Sequence, residues 1–176
     1  MESLRIRSLS TVAPADLTGL IDVLMDCVQG GASVSFMWPM TREKAERYWN
    51  SVASSLACGE RVVIVAEDES GIVGTAQCVW AAPENQPHRA DVAKMLVHRR
   101  ARRKGVGAAL LRAVEEAARA AGKSVLVLDT ASAEAERLYE RCGWQRCGRI
   151  PDFALMPDGS FCDTVVYYKL LSASAA

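Results

Sequence analysis

Between an apolar strand and a long amphipathic helix the chain inserts Val97-His-Arg-Arg-Ala-Arg-Arg-Lys-Gly-Val-Gly-Ala108. This passage from strand through basic glycine loop to helix restricts the fold more than any other feature. Ala90 to Val97 is of strand type, and from Gly107 to Ala121 the residues Ala109, Leu110, Ala113, Val114 and Ala117 recur at helical spacing. That spacing leaves Arg112, Glu115, Glu116 and Arg119 for the wet face and Gly122 as the stop. A helix N-terminus presents unpaired N–H groups and partial positive charge, so it suits phosphate. Gly105 and Gly107 permit close approach to the backbone, and Arg99, Arg100, Arg102, Arg103 and Lys104 offer charge-assisted donors. The same residues also fit a solvated basic turn whose glycines reverse the chain.

Other phosphate-binding motifs fit less well. No G-x-x-x-x-G-K-[ST] segment occurs, which excludes a P-loop. Gly105-Val-Gly107 matches half of a dinucleotide fingerprint, and Asp129 falls at the expected distance from it. Leu110, however, takes the third small position, and seven residues separate Val97 from Gly105 where a tight turn is required.

Charge limits the partners. The 21 basic and 21 acidic residues cancel, which argues against a surface made throughout for nucleic acid or anionic membrane. No aromatic side chain interrupts the basic run to stack on bases. The six cysteines form no C-x-x-C pair and there are two histidines, so no zinc site is expected and no metal is implied. Scattered reduced thiols in or near the core are expected instead. With 176 residues, half of them hydrophobic, the chain is read as one domain over 1–171 with a frayed tail at 172–176. No uncharged apolar stretch of about 18 residues and no leader-like h-region occurs, so a cytoplasmic protein is expected.

Leu4 to Leu9 alternates as a strand does, and Leu17, Leu20, Ile21, Leu24, Met25 and Val28 form a helical stripe ended by Gly30-Gly31. After a loop from Ala32 to Met40, a second helix spans Glu43 to Leu56. Arg61–Glu67 and Ile72–Trp80 read as a hairpin across Asp68-Glu-Ser-Gly71. Ser124 to Leu128 reads as a strand buried on both faces, Ser132 to Cys142 as a helix ended by Gly143. Arg146–Leu155 and Thr164–Leu171 are strands about the turn Pro157-Asp158-Gly159. The class is α/β: a mixed sheet containing hairpins and one strand–helix–strand unit.

Arg102-x-x-Gly105-x-Gly107, placed after a strand and before a helix, resembles the acetyl-CoA motif [QR]-x-x-G-x-[GA] of the GCN5-related N-acetyltransferases (GNAT). Ala135-x-x-x-Tyr139-Glu-Arg-Cys-Gly143-Trp144 matches that family's second signature, and the order of elements agrees from Leu4 to Leu171. Gly30-Gly-Ala-Ser-Val34, Arg89-Ala-Asp-Val92, Leu128-Asp-Thr130 and Pro157-Asp-Gly159 resemble the tabtoxin-resistance type, whose members acetylate an amine on a small toxic amino acid.

The resemblance implies a mixed, mostly antiparallel sheet of about seven strands with a splayed, bulged fourth strand, flanked by about four helices. It implies acetyl-CoA as cosubstrate, with the pantetheine arm along Met95, Leu96 and Val97. The pyrophosphate then sits on Arg103, Lys104, Gly105, Val106, Gly107 and Ala108, with Arg102 beside it. Ser132 stands where many relatives carry asparagine and offers a hydroxyl to the cofactor. Direct attack of a neutral amine on the thioester requires a proton acceptor, for which Asp91 and Asp129 are the candidates; their proximity would raise one carboxyl's pKa. Tyr139 matches the tyrosine that protonates the departing thiolate. Ser33, Phe36 and Trp38 lie in the loop that covers the acceptor pocket in this family. The acceptor is read as a primary amine of a small molecule, with a protein or peptide N-terminus as the alternative. Homodimers occur in the family.

Overall fold

The computed structural model describes residues 4–171. Its elements run β1 (Arg5–Leu9), α1 (Pro14–Gln29), α2 (Arg42–Ala57), β2 (Arg61–Asp68), β3 (Gly71–Trp80), β4 (Arg89–Val97), α3 (Val106–Ala120), β5 (Val125–Thr130), α4 (Ala133–Arg141), β6 (Gln145–Leu155) and β7 (Phe161–Leu170). The strands form one sheet in the order β1-β2-β3-β4-β5-β7-β6, antiparallel throughout except for β4 and β5. This is the expected seven-stranded mixed sheet with four α-helices. The tail at 172–176 lies outside the described residues.

Strand alternation dictates two cores. In β2, Val63 and Val65 join the layer under α1 and α2, while Ile64 and Ala66 join the layer under α3. Trp49, Leu20 and Leu24 fill the first layer; Leu110, Leu111, Val114 and Leu126 fill the second. All are fully buried, so β2 and β3 are covered on both sides. In β5 only Leu126 and Leu128 are buried, and Val125 and Val127 are half-buried, unlike the expected strand buried on both faces. Among the described residues no helix is long and apolar enough to cross a membrane.

Two expectations need correction. The buried stripe of α3 is Val106, Leu110, Leu111, Val114 and Ala118, because its bulky side chains, rather than its many alanines, select the core face. That rotation draws Glu115 inward. Its carboxylate accepts from Lys169 Nζ (2.8 Å to each oxygen) and from Trp144 Nε1 (3.2 Å), so a residue expected on the wet face ties α3 to β7. The cysteines are all free, as expected, but Cys58 and Cys147 are exposed rather than near the core.

Candidate active site

The site begins with a divergence of two parallel strands. β4 pairs with β5 only from Arg89 to Asp91, opposite Val125 to Val127. On its other side the β3–β4 register slips between Thr75 and Gln77, and Lys94 takes φ +50°. This bulge bends β4 away from β5 and leaves the edge from Val92 to Val97 open. Between the strands lies a cleft of about 1270 Å³. Pockets for drug-sized ligands run to about 300–1,000 Å³, so an extended ligand and a second molecule fit together.

The first turn of α3 closes one end of the cleft. Gly105 holds φ +80°, a left-handed conformation that side chains disfavour, and a Cβ there would meet nothing within 4 Å. The first intrahelical bond is donated by Ala109 to the Gly105 carbonyl, leaving the N–H groups of Val106, Gly107 and Ala108 free of helix partners. Gly107 lines the cleft as well, and it packs closely against α4: a Cβ there would lie 2.8 Å from Leu138 Cδ2, so any side chain would push Leu138 aside.

The structure divides the basic run. Arg99 is held by the buried carboxylate of Asp26, which accepts from both its side chain and its backbone N–H. Arg100 donates to the Ile72 carbonyl (3.2 Å). Arg102 and Arg103 line the cleft, with Arg102 Nε donating to Val97 O (3.2 Å); Lys104 is not among the lining residues. Nothing in the local sequence marks this role of Asp26, because its partner lies 73 residues away.

Tyr139 lines the opposite wall and is almost fully buried. The second signature explains its fixity. Gly143 takes φ +80° after α4, Gly143 N–H bonds to Glu140 O (3.0 Å) and Trp144 N–H to Tyr139 O (3.0 Å), which is a Schellman closure. The Trp144 ring then packs on Tyr139, 6.0 Å between centroids, and Tyr167 packs at 5.8 Å. Burial, assisted by the negative charge of Asp129, pushes the phenol pKa well above its ordinary value, so the hydroxyl remains a neutral donor.

The two candidate carboxylates are not brought together in the cleft. Asp129 lines it and accepts from Thr164 Oγ1 (2.7 Å). Asp91 does not line it: the side chain is about half exposed and pairs with Arg89 Nη1 two residues earlier on the strand. Ser132 lines the cleft, but its hydroxyl caps α4 by accepting from Ala135 N–H (3.3 Å). Met95, Leu96 and Val97 lie on the open edge as expected. Ser33 and Phe36 reach the cleft, Ser33 donating to Leu155 O (3.1 Å); Trp38 does not, because its indole donates to Val28 O (2.9 Å) at the end of α1. Lys94, at the bulge that the family resemblance implies, also lines the cleft; the resemblance marks the bulge for the cofactor's arm and gives no role to this side chain. No group of three His, Cys, Asp or Glu side chains able to hold a metal ion occurs among the described residues.

Residues 59–146 match the acetyltransferase (GNAT) domain family. An uncharacterised N-acetyltransferase of Azospirillum brasilense is 36% identical over 152 residues, 85% of each chain. A ribosomal-protein-alanine N-acetyltransferase from Brucella melitensis superposes with a TM-score of 0.78 at 25% identity, over 95% of this chain and 99% of that one. A Salmonella typhimurium protein described as an acetyltransferase, solved with its cofactor acetyl-CoA, shares the fold with a TM-score of 0.76 at 20% identity, over 98% and 96% of the chains. The open edge of β4, the glycine-led start of α3 and the anchored Tyr139 are thus framed by relatives of one kind, and the chain belongs to the GNAT family of N-acetyltransferases.

Proposed function

We propose that the protein transfers the acetyl group of acetyl-CoA directly to a primary amine of a small molecule in the cytoplasm. The observation that carries this reading is the open edge of β4 leading to the free N–H groups of Val106, Gly107 and Ala108. A pantetheine arm carries amide donors and acceptors, and it pairs with Met95 and Val97 as an added strand would. The pyrophosphate sits on the first turn of α3, beside Arg102 and Arg103.

The acceptor enters from the side walled by Phe36, Asp129 and Thr164. Its neutral amine attacks the thioester carbonyl; the C–N bond forms, the C–S bond breaks, and the amine's surplus proton passes to Asp129, directly or through water. Tyr139 donates a proton to the leaving thiolate. Asp91, paired with Arg89 outside the cleft, takes no part in this scheme. A peptide N-terminus is the second reading, favoured by the Brucella melitensis relative's substrate.

Release of free CoA thiol, followed over a panel of small amines and alanine-led peptides, tests both readings. Acetyl-CoA-dependent release with a small amine is expected. Release confined to the peptides transfers the assignment to the second reading, and none with either class rejects both.

A further inference from the structure

The bulge that opens β4 also aims Lys94 across the sheet. Its Nζ donates to Ser35 Oγ (3.1 Å) and stands 5.6 Å from the centre of the Tyr48 ring. That ring is fixed in turn: Tyr48 Oη accepts from Gln77 Nε2 (2.9 Å), and Phe36 packs edge-on at 5.3 Å. Gln77 is fully buried, and its carbonyl accepts from Arg61 Nη1 (2.7 Å), which sets a second positive charge behind the platform. Lys94 thus sits half-buried in the cleft wall on a neutral hydroxyl and an aromatic face, with no ion pair among the described residues. A desolvated ammonium is costly without an anion. Burial lowers its pKa, Asp129 opposes that shift and Arg61 adds to it, so both charges are felt at the ammonium.

We infer that Lys94 is a specificity-determining residue whose ammonium binds a carboxylate on the acceptor, so that the substrate is a zwitterionic amine: an amino acid rather than a simple amine. The inference rests on the acetyl-transfer reading above and adds the acceptor's charge. Two opposite charges flank one space, Lys94 on β4 and Asp129 on β5, and both line the cleft. An amine that also carries a carboxylate satisfies both, the cationic end drawn toward Asp129 and Thr164 before it gives up its proton. The pyrophosphate does not compete for Lys94, because the start of α3 and Arg102 hold the phosphate end of the cleft. Ser35, at φ +77° in the loop that covers the site, is a second donor for the same carboxylate.

The test is thiol release with L-lysine, L-methionine and L-glutamate, each beside its carboxamide and its decarboxylated amine. Wild-type protein is expected to prefer a free amino acid to its carboxamide by about 10- to 100-fold in kcat/KM, the range for losing a hydrogen bond to a charged group. Lys94→Gln should bring that ratio close to one through a rise in KM for the amino acid, and Lys94→Arg should retain most of it. A purely structural role would lower activity toward both members of each pair and leave the ratio standing, which overturns the assignment. So does a wild type that turns over carboxamides or decarboxylated amines as well as amino acids, or that acetylates no amino acid. Calorimetric binding of acetyl-CoA by the same proteins separates the two readings: with binding intact, the failure belongs to Lys94 and not to acetyl transfer.

Discussion

Tyr139→Phe is expected to lower kcat by about 10²-fold or more, the usual range for losing a positioned general acid. The substitution removes one oxygen and leaves the ring that packs against Trp144 and Tyr167. Stability and the KM for acetyl-CoA should therefore change far less than kcat, and steady-state kinetics beside thermal melts will show the split. The pH profile gives an independent sign. The acceptor amine must lose its proton, so turnover rises from pH 7 toward 9. Burial holds the Tyr139 phenol above its ordinary value, so its ionisation imposes no alkaline decline over that interval. Undiminished turnover by Tyr139→Phe would remove its assigned role.

Glu115→Ala is expected to have the largest effect on stability, about 3–5 kcal/mol, because it strands a partner charge. Lys169 Nζ bonds both carboxylate oxygens at 2.8 Å and the Cys142 carbonyl at 2.7 Å, and its side chain is only 20% exposed. Without Glu115 that ammonium keeps one neutral acceptor, and Trp144 Nε1 loses its own. For a chain of this size the melting temperature should fall by about 10 °C. Glu115→Gln, which retains an acceptor for Trp144, should fall between. Replacing Glu115 and Lys169 together by Leu and Met is expected to recover most of the loss, since a buried ion pair exchanged for apolar bulk is often neutral. A double variant as unstable as Glu115→Ala would contradict this account. The consequence reaches catalysis, because Trp144 closes the helix end that fixes Tyr139.

The sheet, the helices and both signature segments were legible because each rests on local rules. Apolar period marks the elements, and glycine marks Gly105 and Gly143, where the backbone turns left-handed. The Ala135-x-x-x-Tyr139 to Trp144 spacing was legible as a signature, while its reason, a Schellman closure that joins tyrosine to tryptophan, appears only in three dimensions. What stayed hidden was pairing at a distance. Asp26 and Arg99 are 73 residues apart, and Glu115 and Lys169 are 54 apart. No periodicity announces that the first pair withdraws a cation from the phosphate loop or that the second buries an acid. Asp91 and Asp129 were grouped because parallel strands placed them near each other, but strand divergence and Arg89 separate their surroundings. The bulge in β4 was legible through the family resemblance, but which side chain it turns into the cleft was not: that Lys94 lines it follows only from the backbone at φ +50°.

Amide hydrogen exchange in the presence of saturating acetyl-CoA tests the central claim most directly, since it reports binding and place together. Exchange is expected to slow in two separate segments, the open edge at 92–97 and the loop and first helical turn at 103–108. Unchanged exchange in both, or protection found only elsewhere on the molecule, would contradict a cofactor held between β4 and β5.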